Sequence, residues 1–337
     1  MKVLFIGQKY GNSYIQYKIL KKKYKKVDSI FEEKTLPNLD IIKKILIHTN
    51  PFFVEGFINK KIFSKIKKNY DLIYVKSGYL IGKKLILNLK KKSKKIVYFC
   101  NDNPFVNRDK NLWKLFLESA EYYDVIAYQD SSRVKLAKSY GLRNSLLVLP
   151  PYDKDTHKKQ KISNNFKKKN SSDVILIGGW FPERGIFVNK ILNLGLNLKI
   201  YGTRWDKDPN YQFIKSKVKL GFVLNPNYSK LIQCAKIALC FFSKQNLDTI
   251  TARSAEIPAI GTLLCSLRTK TMKKNFIENK EAVYFNNPSE CVKKCKYYLK
   301  NTKQAKKIAK NGNSKIKKIL KASNDDLIKK IISVAFN

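Results

Sequence analysis

The sequence predicts an α/β protein of two Rossmann-like domains, each built on a parallel sheet. Three observations predict it. Short apolar runs of strand length alternate with longer amphipathic, lysine-rich segments. The alternation stops over the charged polar stretch 153–173, which has no apolar periodicity, and then restarts. The 337 residues, 44% of them hydrophobic, are enough for about two ordinary cores. Strands separated by helical segments imply parallel pairing through crossover helices.

In the first half the apolar runs KVLFIG (2–7), DLIYVKS (71–77), KIVYFCN (95–101), DVIAYQD (124–130) and SLLVLP (145–150) read as strands. Helical patterns lie between them at 12–26, in YLIGKKLILNLKKK and in NLWKLFLESAEYY. After the break, DVILIGG (173–179), LNLKIYG (196–202), KIALCFF (236–242), GTLLCS (261–266) and EAVYF (281–285) read as strands. ERGIFVNKILNLG, NYSKLIQCAK and ITARSAEIPA read as helices between them, and the remainder is helical. The division is then 1–155, a linker at 156–172, 173–316, and a C-terminal helix at 317–337 that returns to the first domain. Two such sheets facing each other put ligands in a cleft, outside the carboxyl ends of the strands.

Lys and Arg number 69 against 25 Asp and Glu, a formal charge of +44. Nucleic acid or an anionic membrane is the first partner such a charge suggests. Only seven of the basic residues are Arg, however, and base readout favours the planar Arg fork. The lysines are spread along the chain, so solvated faces come first, membrane-surface contact second, and no specific nucleic acid is expected. The six cysteines form no C-x-x-C and only two histidines occur, His48 and His157, so no zinc site is expected. Buried reduced thiols fit the cytoplasm. The start MKVLFIGQKYG lacks a signal peptide, and no run is long enough to span a membrane.

The stretch Asp248 to Tyr284 is the most informative. It holds a carboxylate, a seven-residue gap, a second carboxylate at Glu256, then Gly261 and Thr262, and the acidic patch ENKEAVYF. That order suits a nucleotide-sugar site: an acid for the ribose diol, a helix start for phosphate, and a strand as wall. Asp248 reads as a loop residue near a helix N-cap and Glu256 as helical. Arg253 stands three residues before Glu256, so an ordinary ion pair is the structural alternative to ribose binding. Upstream, Gly178-Gly179 follows a strand and Pro182 opens a helix with Arg184 in its first turn. Bare N–H groups at a helix start favour an anion, and Arg184 could reach a diphosphate. In KIYGTRWD, Gly202 opens the cleft floor, while Thr203 or Trp205 flanks a base or packs internally.

In the first half, Gly7 and Gly11 bracket the loop after the first strand, on the acceptor side. Asp102 is its best carboxylate for polarising an acceptor hydroxyl, or a turn residue before Pro104. His48 is a weaker candidate base. The D-x-D triplets 153–155 and 206–208 are chance features of a Lys- and Asp-rich chain, and no metal is expected.

These residues resemble a known family. DVILIGGWFPERG, KIYGTRW, TARSAEIPAIGTLLC, FIENKEAVYFNNPSECVKKCKYYLKN and IAKNG are similar, in order, to GT-B glycosyltransferases of the spore-maturation-protein (CgeB-like) group. That group carries a glycosyltransferase family 1-type C-terminal domain. YFCNDNP, YYDVIAYQDSSRVKLAKSYGL and LVLPPYDKDTH extend the resemblance, which runs from Val97 to Gly312. It implies a GT-B fold and a metal-independent hexosyltransferase-type enzyme with a nucleotide-diphosphate sugar as co-substrate and no other cofactor. The acceptor would be a glycan, lipid-linked or protein hydroxyl, in cell-surface glycan or glycoconjugate synthesis. Glu256 then matches the ribose acid, Asp248 the first acid of an E-x7-E pair with a shorter arm, and Arg184 a phosphate-facing Arg. The family's further phosphate Lys has only Lys190 as a nearby counterpart, and Ala255 stands where many relatives carry an aromatic. The expected catalytic set is Asp102, Arg184 and Asp248. A nucleic-acid-binding protein and a non-catalytic GT-B scaffold are the competing readings.

Overall fold

All ten apolar runs form strands in the computed structural model, which describes residues 1–337. Two more strands join them, so the chain has two six-stranded, wholly parallel sheets. The chain divides into two units: residues 1–149, 245–247 and 324–337, and residues 150–244 and 248–323.

The first unit holds β1 (Lys2–Gly7), β2 (Lys26–Phe31), β3 (Tyr70–Val75), β4 (Ser93–Cys100), β5 (Val125–Tyr128) and β6 (Ser145–Leu147). Their order is β2-β1-β3-β4-β5-β6, so the chain reverses direction across the sheet between β1 and β3. β2 was not foreseen: in KVDSIF the apolar residues only alternate, and the lysine run before it reads as more helix. The preceding helix, Gly11–Lys23, ends three residues before β2 begins. Three further helices, Glu32–Thr35, Leu39–His48 and Phe52–Phe63, fill the long connection to β3. One face of the sheet, with Val3, Phe5, Leu72, Tyr74, Val97 and Phe99, packs against the helix Asn324–Phe336 through Leu327, Ile328 and Ile331. Gln16 links the two ends of the sequence, donating to Asn324 at 2.9 Å and accepting from the Tyr74 hydroxyl at 3.1 Å.

The second unit holds β7 (Ser172–Ile177), β8 (Leu198–Gly202), β9 (Val218–Leu220), β10 (Ala235–Cys240), β11 (Leu263–Leu267) and β12 (Val283–Phe285). Their order, β12-β11-β10-β7-β8-β9, is the doubly wound dinucleotide-binding order, with its switch point between β7 and β10. The three-residue edge strand β9 was also unforeseen, being too short to carry a period. The stretch 153–173 is part of this unit rather than a bare connector. His157 and Asp153 are buried in it, and residues Asn164–Asn170 form a helix. Apolar periodicity missed it because polar contacts hold its first turn: Asp153 accepts from the Thr156 N–H and hydroxyl, and His157 accepts from the Asp153 N–H.

Candidate functional site

In a sheet of this order the ligand crevice opens where β7 and β10 diverge, at their carboxyl ends. The loop after β7 is Gly178 to Phe181, and the helix Pro182–Asn193 follows with Pro at its first position. No side chain caps that helix start. Arg184 lies in its first turn and bonds back to the Gly179 carbonyl through Nη1. Its guanidinium sits 5.1 Å from the Phe181 ring centre and 5.9 Å from that of Phe241, which follows β10. Its Nε is buried without a hydrogen-bond partner. Burial holds the Arg184 guanidinium below its ordinary value, and neighbouring Arg253 adds like-charge repulsion. Gly178 makes room for it: a Cβ there would come within 3.0 Å of Arg184 Nη1.

The loop after β10 runs to the helix Ala252–Ile260. Asp248 is half-buried in that loop, close enough to Arg184 to favour its charge. The N-cap is Thr251, in a capping box with Ser254, and not Asp248. This leaves the Asp248 carboxylate outside the cap. Thr249 meets Thr271 at 2.7 Å, and Thr269 donates to the Thr249 carbonyl at 2.7 Å, tying the loop to the chain just after β11. Neither threonine on the β11 side was legible as part of the site.

Arg253 occupies the first turn of the helix Ala252–Ile260. Its Nε donates to the Ile177 carbonyl at 3.4 Å, its guanidinium lies 4.3 Å from the Tyr228 ring centre, and Nη1 bonds Glu256. Two guanidiniums, of Arg184 and Arg253, are thus anchored on carbonyls at the end of β7. Burial disfavours the charge on Arg253, but the Glu256 carboxylate outweighs it and raises the pKa. The Glu256 side chain is 4% exposed, and its Oε1 lies 3.8 Å from His157 Nε2. Burial would raise Glu256, yet Arg253 and then His157 pull it below the usual carboxylate range. Burial also keeps His157 below its ordinary value, so at neutral pH it is a neutral imidazole. The structure therefore realises the ion pair that competed with ribose binding, and the group more open to solvent is Arg253, its side chain 37% exposed. His157 and Tyr228, which enclose this pair, carried no signal in the sequence.

Several expected residues have other work. Trp205 is fully buried and donates to the Gly178 carbonyl at 2.9 Å, so it packs under the β7 loop and stacks on no base. Gly202 is needed by the same carbonyl: a Cβ there would lie 2.1 Å from it. Thr203 remains half-buried beside Gly179, with its hydroxyl 3.4 Å from where a Gly179 Cβ would stand. Gly261 is the left-handed C-cap of the helix Ala252–Ile260, at φ 98°, and Thr262 donates to the Ile232 carbonyl at 2.8 Å. Both precede β11, at the sheet edge opposite the strand ends, so neither reaches the crevice. Lys190 is in the last turn of its helix, away from Arg184. In ENKEAVYF, Glu278 pairs with Arg268 and Glu281 accepts the Ile277 N–H, while the strand β12 lies beyond β11 from the crevice. Asp208 accepts from Trp180 and Asn189, so the 206–208 triplet is structural.

In the first unit, the reversal between β1 and β3 places the Gly7–Gly11 loop at the corresponding crevice. Gly7 is fixed by packing, since a Cβ would meet Phe5 and Ser13 at 2.7 Å, and Gly11 opens the first helix at φ 55°. Asp102 follows β4, its side chain 45% exposed, and pairs with Arg108 at 2.9 Å. The turn role falls instead to buried Asn103, whose Oδ1 accepts the Phe105 N–H. Two residues there were missed. Lys76, just after β3, donates to the Phe99 carbonyl at 2.8 Å and Asn101 Oδ1 at 3.0 Å. Burial pushes its pKa down to about 7. Glu32, buried just after β2, accepts from Gln8 at 2.7 Å and from the Tyr79 hydroxyl. His48 is exposed beside Lys110.

Residues 184–324 match the glycosyl transferase-like family model. The fold is that of GT-B glycosyltransferases. Sucrose-phosphate synthase from Thermosynechococcus elongatus superposes with TM-score 0.71 at 10% identity, over 100% of this chain and 99% of that one. Anabaena HepE in complex with UDP-glucose gives 0.69 at 14% identity, over 99% and 98%. An α,α-trehalose-phosphate synthase (UDP-forming) from Burkholderia xenovorans in complex with glucose-6-phosphate gives 0.66 at 9%, over 100% of both chains. No curated protein matches the chain in sequence.

Proposed function

We propose that the chain is a glycosyltransferase that takes a nucleotide-diphosphate sugar at the β7/β10 crevice and passes the sugar to an acceptor hydroxyl. The observation that carries this is the pair of guanidiniums on the carbonyls at the end of β7, with Asp248 near Arg184. Glu256 balances the charge on Arg253, while the buried charge on Arg184 beside it is disfavoured, and a diphosphate is an anion that would offset it. The family match over residues 184–324 and the GT-B fold of solved UDP-sugar complexes support the same reading.

Glycosyl transfer passes through an oxocarbenium-like sugar, and charge grows on the departing diphosphate. Arg184 and Arg253 would stabilise that charge, fixed in place by aromatic rings and carbonyls rather than by water. Glu256 positions Arg253, and Asp248 is the carboxylate that favours the charge on Arg184. Asp102, in the first unit, is our candidate for the acceptor hydroxyl. This chemistry asks for no metal. The ordered motif similarity from Val97 to Gly312 leads us to the CgeB-like group, and the acceptor to a glycan, a lipid-linked glycan or a protein. Six free thiols suit a cytoplasmic enzyme. No helix is long and apolar enough to cross a membrane.

A panel of nucleotide sugars and free nucleoside diphosphates, read by thermal shift and calorimetry, tests the donor site. We expect one nucleotide family to raise the melting temperature and release of its nucleoside diphosphate to follow when acceptor is added. Binding without any release of nucleoside diphosphate, with acceptor or with water, would leave a non-catalytic scaffold. No shift with any member of the panel removes the reading.

A further inference from the structure

The second unit carries an exposed apolar patch that the transferase reading does not use. It surrounds the edge strand β9. Phe222 is 86% exposed, Leu224 70%, Phe213 60% and Leu220 47%. These residues fall within a dozen positions of one another, in FIKSKVKLGFVL. A monomer ordinarily exposes large apolar side chains singly, and a cluster marks a surface that meets something. Beside the patch, Leu220, Leu224, Leu231, Phe166 and Tyr201 line a cavity of about 210 Å³.

The charge around the patch is mostly positive, with Asp206 on the turn beside β9 as an exposed exception. Lys215, Lys217 and Lys219 alternate with the apolar residues, and Lys167, Lys168 and Lys169 stand on the neighbouring helix. All six are exposed and none is in an ion pair. No Asp or Glu occurs between Asp208 and Asp248. Lysines on an edge strand also discourage strand pairing, but that function needs no exposed Phe222 or Leu224. Apolar tips set among unpaired lysines are the composition of a surface that rests on anionic lipid.

We propose that the β9 edge docks on an anionic bilayer. Phe222 and Leu224 enter the boundary between headgroups and acyl chains, and Lys215, Lys217 and Lys219 meet lipid phosphate. Because Gly221 to Leu224 follow the carboxyl end of β9, docking would bring the carboxyl edge of this sheet toward the lipid surface. The inference goes beyond the transferase reading and does not rest on it.

Sedimentation of the full chain with vesicles tests it, using phosphatidylcholine alone and an equal mixture of phosphatidylcholine and phosphatidylglycerol. We expect binding to the mixture and not to phosphatidylcholine. The pair Phe222→Ser and Leu224→Ser should weaken it by roughly tenfold or more. The triple Lys215→Gln, Lys217→Gln, Lys219→Gln should weaken it by roughly a hundredfold. A control triple with equal charge loss on the helix Thr302–Ser314, Lys303→Gln, Lys306→Gln and Lys307→Gln, should bind nearly as well as the parent. Equal losses from the two triples, or full binding by the Phe222/Leu224 variant, would reduce the effect to overall charge and overturn the proposal. A dimer by light scattering that the Phe222/Leu224 variant dissociates, without vesicle binding, would assign the patch to a second copy and also overturn it. Melting temperatures equal to the parent's establish that each variant is folded.

Discussion

Glu256 grips the guanidinium of Arg253, one helical turn back along the same helix, and is itself almost sealed from solvent. This makes Glu256 a positioning group for Arg253. Glu256→Ala should then weaken inorganic pyrophosphate and nucleoside diphosphate by the same factor, roughly tenfold or more, as expected for a lost charge-assisted bond. Calorimetry with both ligands checks this. A loss confined to the nucleoside diphosphate would return Glu256 to the ribose.

Arg184 faces a different demand, since its charge matters most when the diphosphate departs. Arg184→Ala should lower kcat by the equivalent of about 2–4 kcal/mol. Single-turnover measurements with donor and acceptor report it directly. Turnover near that of the parent would remove Arg184 from the reaction.

Trp205 and Gly202 serve the β7 loop from below. Trp205→Ala should cost about 3–5 kcal/mol of stability, as emptying a buried aromatic site does, and chemical denaturation measures it. Trp205→Phe should keep nucleotide affinity close to the parent's in the folded fraction. A steep loss of affinity in that milder variant would mean the indole touches ligand.

Lys76 gives the first unit a pH dependence with a definite sign. Its ordinary value is 10.5 and burial lowers it to about 7. Between those values the unfolded chain holds a proton that the folded chain does not, so stability rises with pH across that window. Against a Lys76→Met variant, the parent should gain stability from pH 7 toward 10.5, by less than about 1.4 kcal/mol per pH unit because the side chain is partly solvated. Denaturation curves for both proteins at several pH values show whether the gap widens. A constant gap would mean that the amine keeps its ordinary pKa.

The order of strands and helices was legible because parallel, buried strands read as apolar runs and their crossovers as amphipathic segments. Arg184, Asp248 and Arg253 could be picked out as candidates for a related reason: each lies between a strand end and the first turn of the next helix, and strand ends are where such sheets bind. What sequence could not show was which partner a side chain takes. Trp205 could stack on a base or donate to a carbonyl, and only the approach of Gly202 to Gly178 decides it. Gly261 and Thr262 follow an expected site helix, but they follow its far end, and helix length settles which sheet edge they reach. His157 sat in a stretch dismissed for lacking periodicity, because a turn held by polar hydrogen bonds leaves no apolar trace. β2 escaped because its apolar residues only alternate behind a lysine run, and β9 because three residues carry no period.

The helix Asn324–Phe336 supplies Leu327, Ile328, Ile331 and Ile332 to the core built on Val3, Phe5 and Leu72. During synthesis, then, the first sheet leaves the ribosome with one face only partly covered, by the helix Gly11–Lys23, and waits through the whole of the second unit for the rest of its cover. The opening 149 residues made alone should be sticky and dependent on chaperones, and supplying residues 324–337 as a separate peptide should restore their solubility.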